Sequence, residues 1–185
     1  LSLLSLAAVE FALMRLQLIV PQNSMIQPEI FNRLLSTAPV TLVVLAAVPL
    51  ALGLIAYIAP LQIGARGVAL PRLHQFSYWL YLVGGVTIYA SFLWAAPESG
   101  TMALPPLSDT VFTPSNGTDA WIAGTALATL GFVCFGINLV VTLNRLRAPG
   151  LAWRRMPLFS WAAAVIGWLL VVIGPMMIAA LTMLE

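Results

Sequence analysis

Side chains able to do chemistry are scarce in this sequence. It holds one histidine, His74, one cysteine, Cys134, and seven methionines. A metal centre needs several imidazole, thiolate or carboxylate donors converging on one point, and no such grouping can be read from the spacing. A lone histidine in a short polar connection reads as a solvated or headgroup-facing residue. Cys134 lies in an apolar run and has no second cysteine to pair with, so it reads as a small packing residue. The methionines read as ordinary packing. The first apolar run carries Glu10 and Arg15, and of the two the cation, Arg15, stands out. An ionisable group in such a place is costly and asks for a specific explanation.

The elements that would position these groups are membrane helices. The composition is 61% hydrophobic and 8% charged, whereas soluble domains carry roughly 25% charged residues. Lipid must be the main solvent. Five apolar runs are long enough to cross about 30 Å of hydrocarbon as helices. They are Leu1 to Ile19, Ala38 to Gln62, Phe76 to Ala96, Ala120 to Leu143, and Leu158 to Leu184. Together they predict a single all-α transmembrane domain. Backbone groups in lipid must be satisfied internally, so the runs are helical despite their valines and glycines, with Pro49 and Pro175 expected to kink theirs. Gly84, Gly85, Gly131 and Gly136 suit close helix approach. Tyr78, Trp79 and Tyr81 suit an interfacial belt or packing. In the run Arg-Ala-Pro-Gly ending at Gly150, proline stops a helix and glycine takes a positive φ.

Sidedness follows from arginine. All eight basic residues are arginines, and they lie mostly in the connections. Arg66 and Arg72 sit in the second connection; Arg145, Arg147, Arg154 and Arg155 sit in the fourth. The third, Pro97 to Asp119, holds Glu98, Asp109 and Asp119 and no base. Arginine excess marks the cytoplasmic face, so the second and fourth connections and the N-terminus are expected inside a bacterial cytoplasmic membrane. The six inner arginines are expected to meet lipid headgroups or a partner. Arg15 and Arg33 oppose the rule. No basic stripe suited to nucleic acid is present. No basic segment precedes the first apolar run and no A-x-A site follows it, so no cleavable signal peptide is expected. Asn116-Gly117-Thr118 reads as a plain turn.

Several segments carry a resemblance. MRLQL (Met14 to Leu18), APLQIGARGVALPRL (Ala59 to Leu73), SYWLYLVGG (Ser77 to Gly85), PPLS (Pro105 to Ser108), INLVVTLNRLRAPG (Ile137 to Gly150) and RRMPLFSWA (Arg154 to Ala162) resemble the first five helices of haem–copper oxidase subunit I, in order and in spacing. That family includes cytochrome c and quinol oxidases. The resemblance implies an all-α membrane bundle serving respiratory electron transport. It also implies a low-spin haem held by a histidine on the second helix and another on a late helix, with the remaining ligands after the fifth.

This sequence departs from that pattern where the chemistry is. The second-helix histidine position falls on Ala38, in Ser36-Thr37-Ala38-Pro39-Val40-Thr41, and alanine has no lone pair for iron. Axial methionine is possible for haem, but Met14 and Met25 offer no obvious replacement. The resemblance also implies a proton path, and its positions fall on Ala56, Gly67 and His74 rather than asparagine, aspartate and asparagine. Arg15 matches an arginine at the haem periphery; with no haem, a pair with Glu29 or another subunit is expected. Arg33 and Ile30 stand where quinol oxidases carry quinone-binding glutamine and histidine.

The expectation is therefore a haem-less, non-catalytic subunit of a larger electron-transfer membrane complex, with no catalytic residue, no metal and no cofactor bound by this chain. Its partners would be other membrane subunits, which could themselves carry haem, and lipid. The alternative is the N-terminal half of a split cytochrome c or quinol oxidase subunit I, taking part in electron transfer to oxygen.

Overall fold

The computed structural model describes residues 2–19, 26–94 and 116–183. They form five helices: α1 (Ser2–Ile19), α2 (Pro28–Gln62), α3 (Pro71–Ala90), α4 (Asn116–Arg145) and α5 (Leu158–Thr182). Short 3₁₀ turns follow α3 at Ser91–Trp94 and precede α5 at Trp153–Arg155. No strand occurs among the described residues. Helices spanning Pro28–Gln62, Pro71–Leu93, Gly117–Arg145 and Leu158–Thr182 are each long and apolar enough to cross a membrane. The remaining one, α1, has 18 residues, about 27 Å at 1.5 Å per residue. The protein is an integral membrane helix bundle.

Three helices start earlier than the apolar runs predict, the third at Pro71 rather than Phe76. The second begins at Pro28, not Ala38, because proline is favoured at the first helical position. Gln27 stays extended just before it (φ −62°, ψ 144°), and Glu29 lies in the first turn, where a carboxylate suits the helix dipole. The fourth begins at Asn116, with Asp119 in its first turn. Asn116-Gly117-Thr118 is thus the start of a helix and not a turn. The expectations for the third connection before Asn116, with Glu98 and Asp109, lie outside the described residues, as does Met25.

Helix α2 is not regular. Its Thr41–Ala47 segment is π-helical, and Pro39 and Pro49 flank it. Neither proline can donate to the helical ladder. A widened turn is the usual response to such an interruption and often marks a functional position.

The described residues fall into two compact units. One comprises Leu1–Leu50, Thr87–Ala123 and Met183–Glu185; the other comprises Ala51–Val86 and Gly124–Thr182. In the first, α1 packs on the first half of α2, burying Ala7, Met14, Ala38, Leu45 and Ala46. In the second, glycines bring backbones together. A Cβ on Gly84 would stand 2.6 Å from Gly124 O and 2.6 Å from Ala128 N, and one on Gly131 would stand 2.8 Å from Ser77 O. The same close approach links α4 to α5 at Gly136, whose Cβ would lie 2.9 Å from Gly167 O. Small residues of this kind let membrane helices pack backbone to backbone. The outer face of α5 exposes Val165, Trp168, Leu169, Val172, Ile173 and Met176, an apolar stripe suited to lipid.

Candidate functional site

In the first unit, the position that could carry a haem ligand is closed by the chain itself. Ala38 is completely buried, as are Ser36, Thr37 and Thr41. The Ser36 hydroxyl donates to the Asn32 carbonyl at 3.0 Å, and the Thr37 hydroxyl donates to the Arg33 carbonyl at 2.9 Å. These local bonds hold both side chains against their own helix, so neither offers a free donor atom. Ala38 has only a methyl group. The residues here do not fit an axial ligand to haem iron.

A polar chain lies one turn beyond Ala38. Tyr89, from α3, places its hydroxyl 2.8 Å from Thr41 Oγ1 and 3.1 Å from Glu10 Oε1. Three helices therefore meet at one phenol. Glu10 is 7% exposed, and its Oε2 has no hydrogen-bond partner among the described residues. Tyr89 also stacks on Phe92, with ring centroids 6.4 Å apart and planes at 14°. Sequence reasoning noted Glu10 as a charge carried by the first apolar run and gave it no role. It gave no sign of Tyr89, whose aromatic type suits any packing position.

Of the two partners expected for Arg15, Glu29 or another subunit, the first is not met. Arg15 is exposed and forms no ion pair with Glu29, which is exposed as well. A long side chain near the end of α1 can carry its charge to the bilayer surface along its own stem, and this removes the need for a carboxylate. Met14 is buried at 6% exposure. Ile30 is exposed and Arg33 half-buried.

In the second unit, the proton-path positions are Ala56, half-buried, Gly67, exposed, and His74, half-buried. A Cβ at Gly67 would meet nothing within 4 Å. His74, expected to be solvated or headgroup-facing, is half-buried, and its ring packs on Phe135 with centroids 5.7 Å apart. Its Nδ1 is buried without a hydrogen-bond partner among the described residues. Neither Ala56 nor Gly67 carries a side-chain group that could order water.

The loops of this unit are joined by hydrogen bonds. Ala148 N donates to Ile63 O at 3.0 Å, tying the fourth connection to the second. Leu70 N donates to Asn138 Oδ1 and Ala69 N to Thr142 Oγ1, both at 3.0 Å. Asn138 and Thr142 are buried on α4, so the second connection is clamped along its length. Gly64 and Gly150 adopt positive φ, 77° and 89°, the left-handed turns that glycine permits. Arg66, Arg72, Arg145, Arg154 and Arg155 are exposed, and Arg147 is half-buried. The Arg147 guanidinium lies 4.5 Å from the centre of the Trp153 ring. Trp153 in turn packs on Trp161, whose indole N–H donates to the Trp153 carbonyl at 2.9 Å. Six arginines and no acidic residue fall in Ala51–Val86 and Gly124–Thr182. No group of three or more metal-ligating side chains occurs among the described residues.

Comparison with known proteins extends the resemblance over the whole chain. The family described as Cytochrome C and Quinol oxidase polypeptide I matches residues 1–185. Cytochrome c oxidase subunit 1 of Corynebacterium glutamicum is 38% identical over 170 residues, covering 91% of this chain and 29% of that protein. The probable cytochrome c oxidase subunit 1-alpha of Streptomyces avermitilis is 39% identical over 175 residues, 94% of this chain and 30% of that one. Quinol oxidase subunit 1 of Bacillus subtilis is 33% identical over 178 residues, 96% of this chain and 27% of that protein. The chain thus spans less than a third of the length of these relatives.

Proposed function

We propose, from the premise that this chain belongs to the Cytochrome C and Quinol oxidase polypeptide I family, that it is a haem-less, non-catalytic member acting as a structural subunit of a larger electron-transfer membrane complex. The observation that carries this is Ala38. At the position where the family resemblance puts a haem-ligating histidine stands a side chain without a donor atom, wholly buried by its own chain. The proton-path positions point the same way, since Ala56 and Gly67 cannot relay a proton. On this reading the chain contributes packing surface, and any haem of the complex is ligated by other subunits. Its partners are those membrane subunits and lipid.

The orientation belongs to the same proposal. Arg66, Arg72, Arg145, Arg147, Arg154 and Arg155 face the cytoplasm, and so does the N-terminus. The hydrogen bond joining the second and fourth connections supports a shared side for all six. Arginine excess supports which side it is.

The test is a visible absorption spectrum of the purified complex, with haem counted per copy of this chain. The proposal expects no haem that scales with this chain and is lost when it is removed. A low-spin bis-histidine spectrum in fixed ratio to the chain would favour the split-oxidase reading instead.

A further inference from the structure

Three short contacts link Glu10, Tyr89, Thr41 and Thr37, and as hydrogen bonds they need three protons. The Tyr89 hydroxyl lies 3.1 Å from Glu10 Oε1 and 2.8 Å from Thr41 Oγ1; Thr41 Oγ1 lies 3.0 Å from the Thr37 carbonyl oxygen. A tyrosine and a threonine hydroxyl supply one proton each, and a carbonyl supplies none. With Glu10 ionised, two protons serve three contacts, and one pair of oxygens faces lone pair to lone pair. If Tyr89 donates to Glu10 and Thr41 to Thr37, the bare pair is the 2.8 Å one, the shortest of the set. The remaining source of a proton is the Glu10 carboxyl.

We infer that Glu10 is a buried proton-binding site: as a neutral carboxylic acid it donates to Tyr89, Tyr89 donates to Thr41, and Thr41 donates to the Thr37 carbonyl. The chain then runs in one direction across α1, α3 and α2, and every contact has its proton. The surroundings agree. Glu10 is 7% exposed. Its Oε2 has no hydrogen-bond partner among the described residues, which is costly for half of a carboxylate but far less so for the carbonyl oxygen of an acid. Among the elements around it, α3 offers Tyr89 and α2 offers the hydroxyls of Thr37 and Thr41. Arg15, on α1 itself, is exposed, and so is Asp119 on α4. The ligand is a proton, and this holds whether or not any haem is present in the complex.

Infrared spectroscopy of the full chain in lipid nanodiscs at neutral pH tests this. With glutamate labelled by carbon-13 at its side-chain carboxyl, a protonated-carboxyl C=O band should shift with the label. Glu10→Gln should remove that band, and Tyr89→Phe should keep it but move its frequency, because its hydrogen-bond partner is gone. Absence of a label-sensitive protonated-carboxyl band in the unmodified chain would overturn the inference without recourse to any variant. So would a band that Tyr89→Phe leaves unmoved, or a Glu10→Gln difference showing loss of a carboxylate band only.

Discussion

Adding one methyl group at Gly84 probes how α3 is held to α4. The Cβ of Gly84→Ala would stand 2.6 Å from Gly124 O, 2.6 Å from Ala128 N and 3.1 Å from Ala128 Cα. Carbon contacts settle at about 3.5–4.0 Å, so the helices must part by on the order of 1 Å. All three obstructing atoms are backbone, and no side-chain rotamer change can relieve them. A radial gap of about 0.5–1 Å forfeits a quarter to a half of each contact along the seam. Overpacking of this kind costs about 1–3 kcal/mol, and the rigid obstruction puts Gly84→Ala near the top, about 3 kcal/mol or roughly a hundredfold in the folded population. Equilibrium unfolding in mixed micelles, followed by circular dichroism, reads this as a shift in midpoint. Gly67→Ala is the control, since its Cβ meets nothing within 4 Å; it should stay within about 0.5 kcal/mol. Equal stability of the two variants would refute the idea that backbone approach at Gly84 holds these helices.

Asn138→Ala removes the acceptor of Leu70 N, a part-buried bond at 3.0 Å; its loss should cost about 0.5–1.5 kcal/mol, and limited proteolysis between 63 and 70 should speed up. Arg147→Ala removes the cation over Trp153 and should cost about 0.5–1 kcal/mol, with altered tryptophan emission as the readout. Ala38→His should yield no bis-histidine haem spectrum, because the added imidazole enters a fully buried position with no second ligand in this chain. Replacing both Arg154 and Arg155 with glutamate should lower membrane insertion, measured as the fraction extractable by carbonate, since it erodes the arginine excess that fixes orientation.

The membrane runs were legible because their composition is extreme, and the glycine seams because small residues in an apolar run have few other uses. Helix starts were less so. Residues 28–37 include Glu29, Asn32 and Arg33, which a count of apolar residues reads as a connection, yet Pro28 begins a helix there. Pairings between distant positions were not legible at all. Arg15 was expected to meet Glu29 or another subunit and does not meet Glu29; the carboxyl group with a built environment is Glu10, and its partner Tyr89 lies 79 residues away. His74 was expected in solvent or at the headgroups, and its ring rests on Phe135, a pairing that nothing in the sequence announced. Residue type announces that a buried charge needs a partner; only the packing of helices says which one. That Ala38 has no donor atom was legible because it depends on side-chain chemistry alone, whereas its burial needed the fold.

The most direct test of the haem-less account is a high-resolution cryo-electron microscopy map of the assembled complex around Ala38. The account predicts protein density closed over Ala38, with Tyr89 between Glu10 and Thr41. It also predicts no iron within bonding distance, about 2.0–2.1 Å for a nitrogen ligand, of any atom in this chain. An iron bonded axially to His74, Met14, Met25 or any other residue of the chain would contradict it.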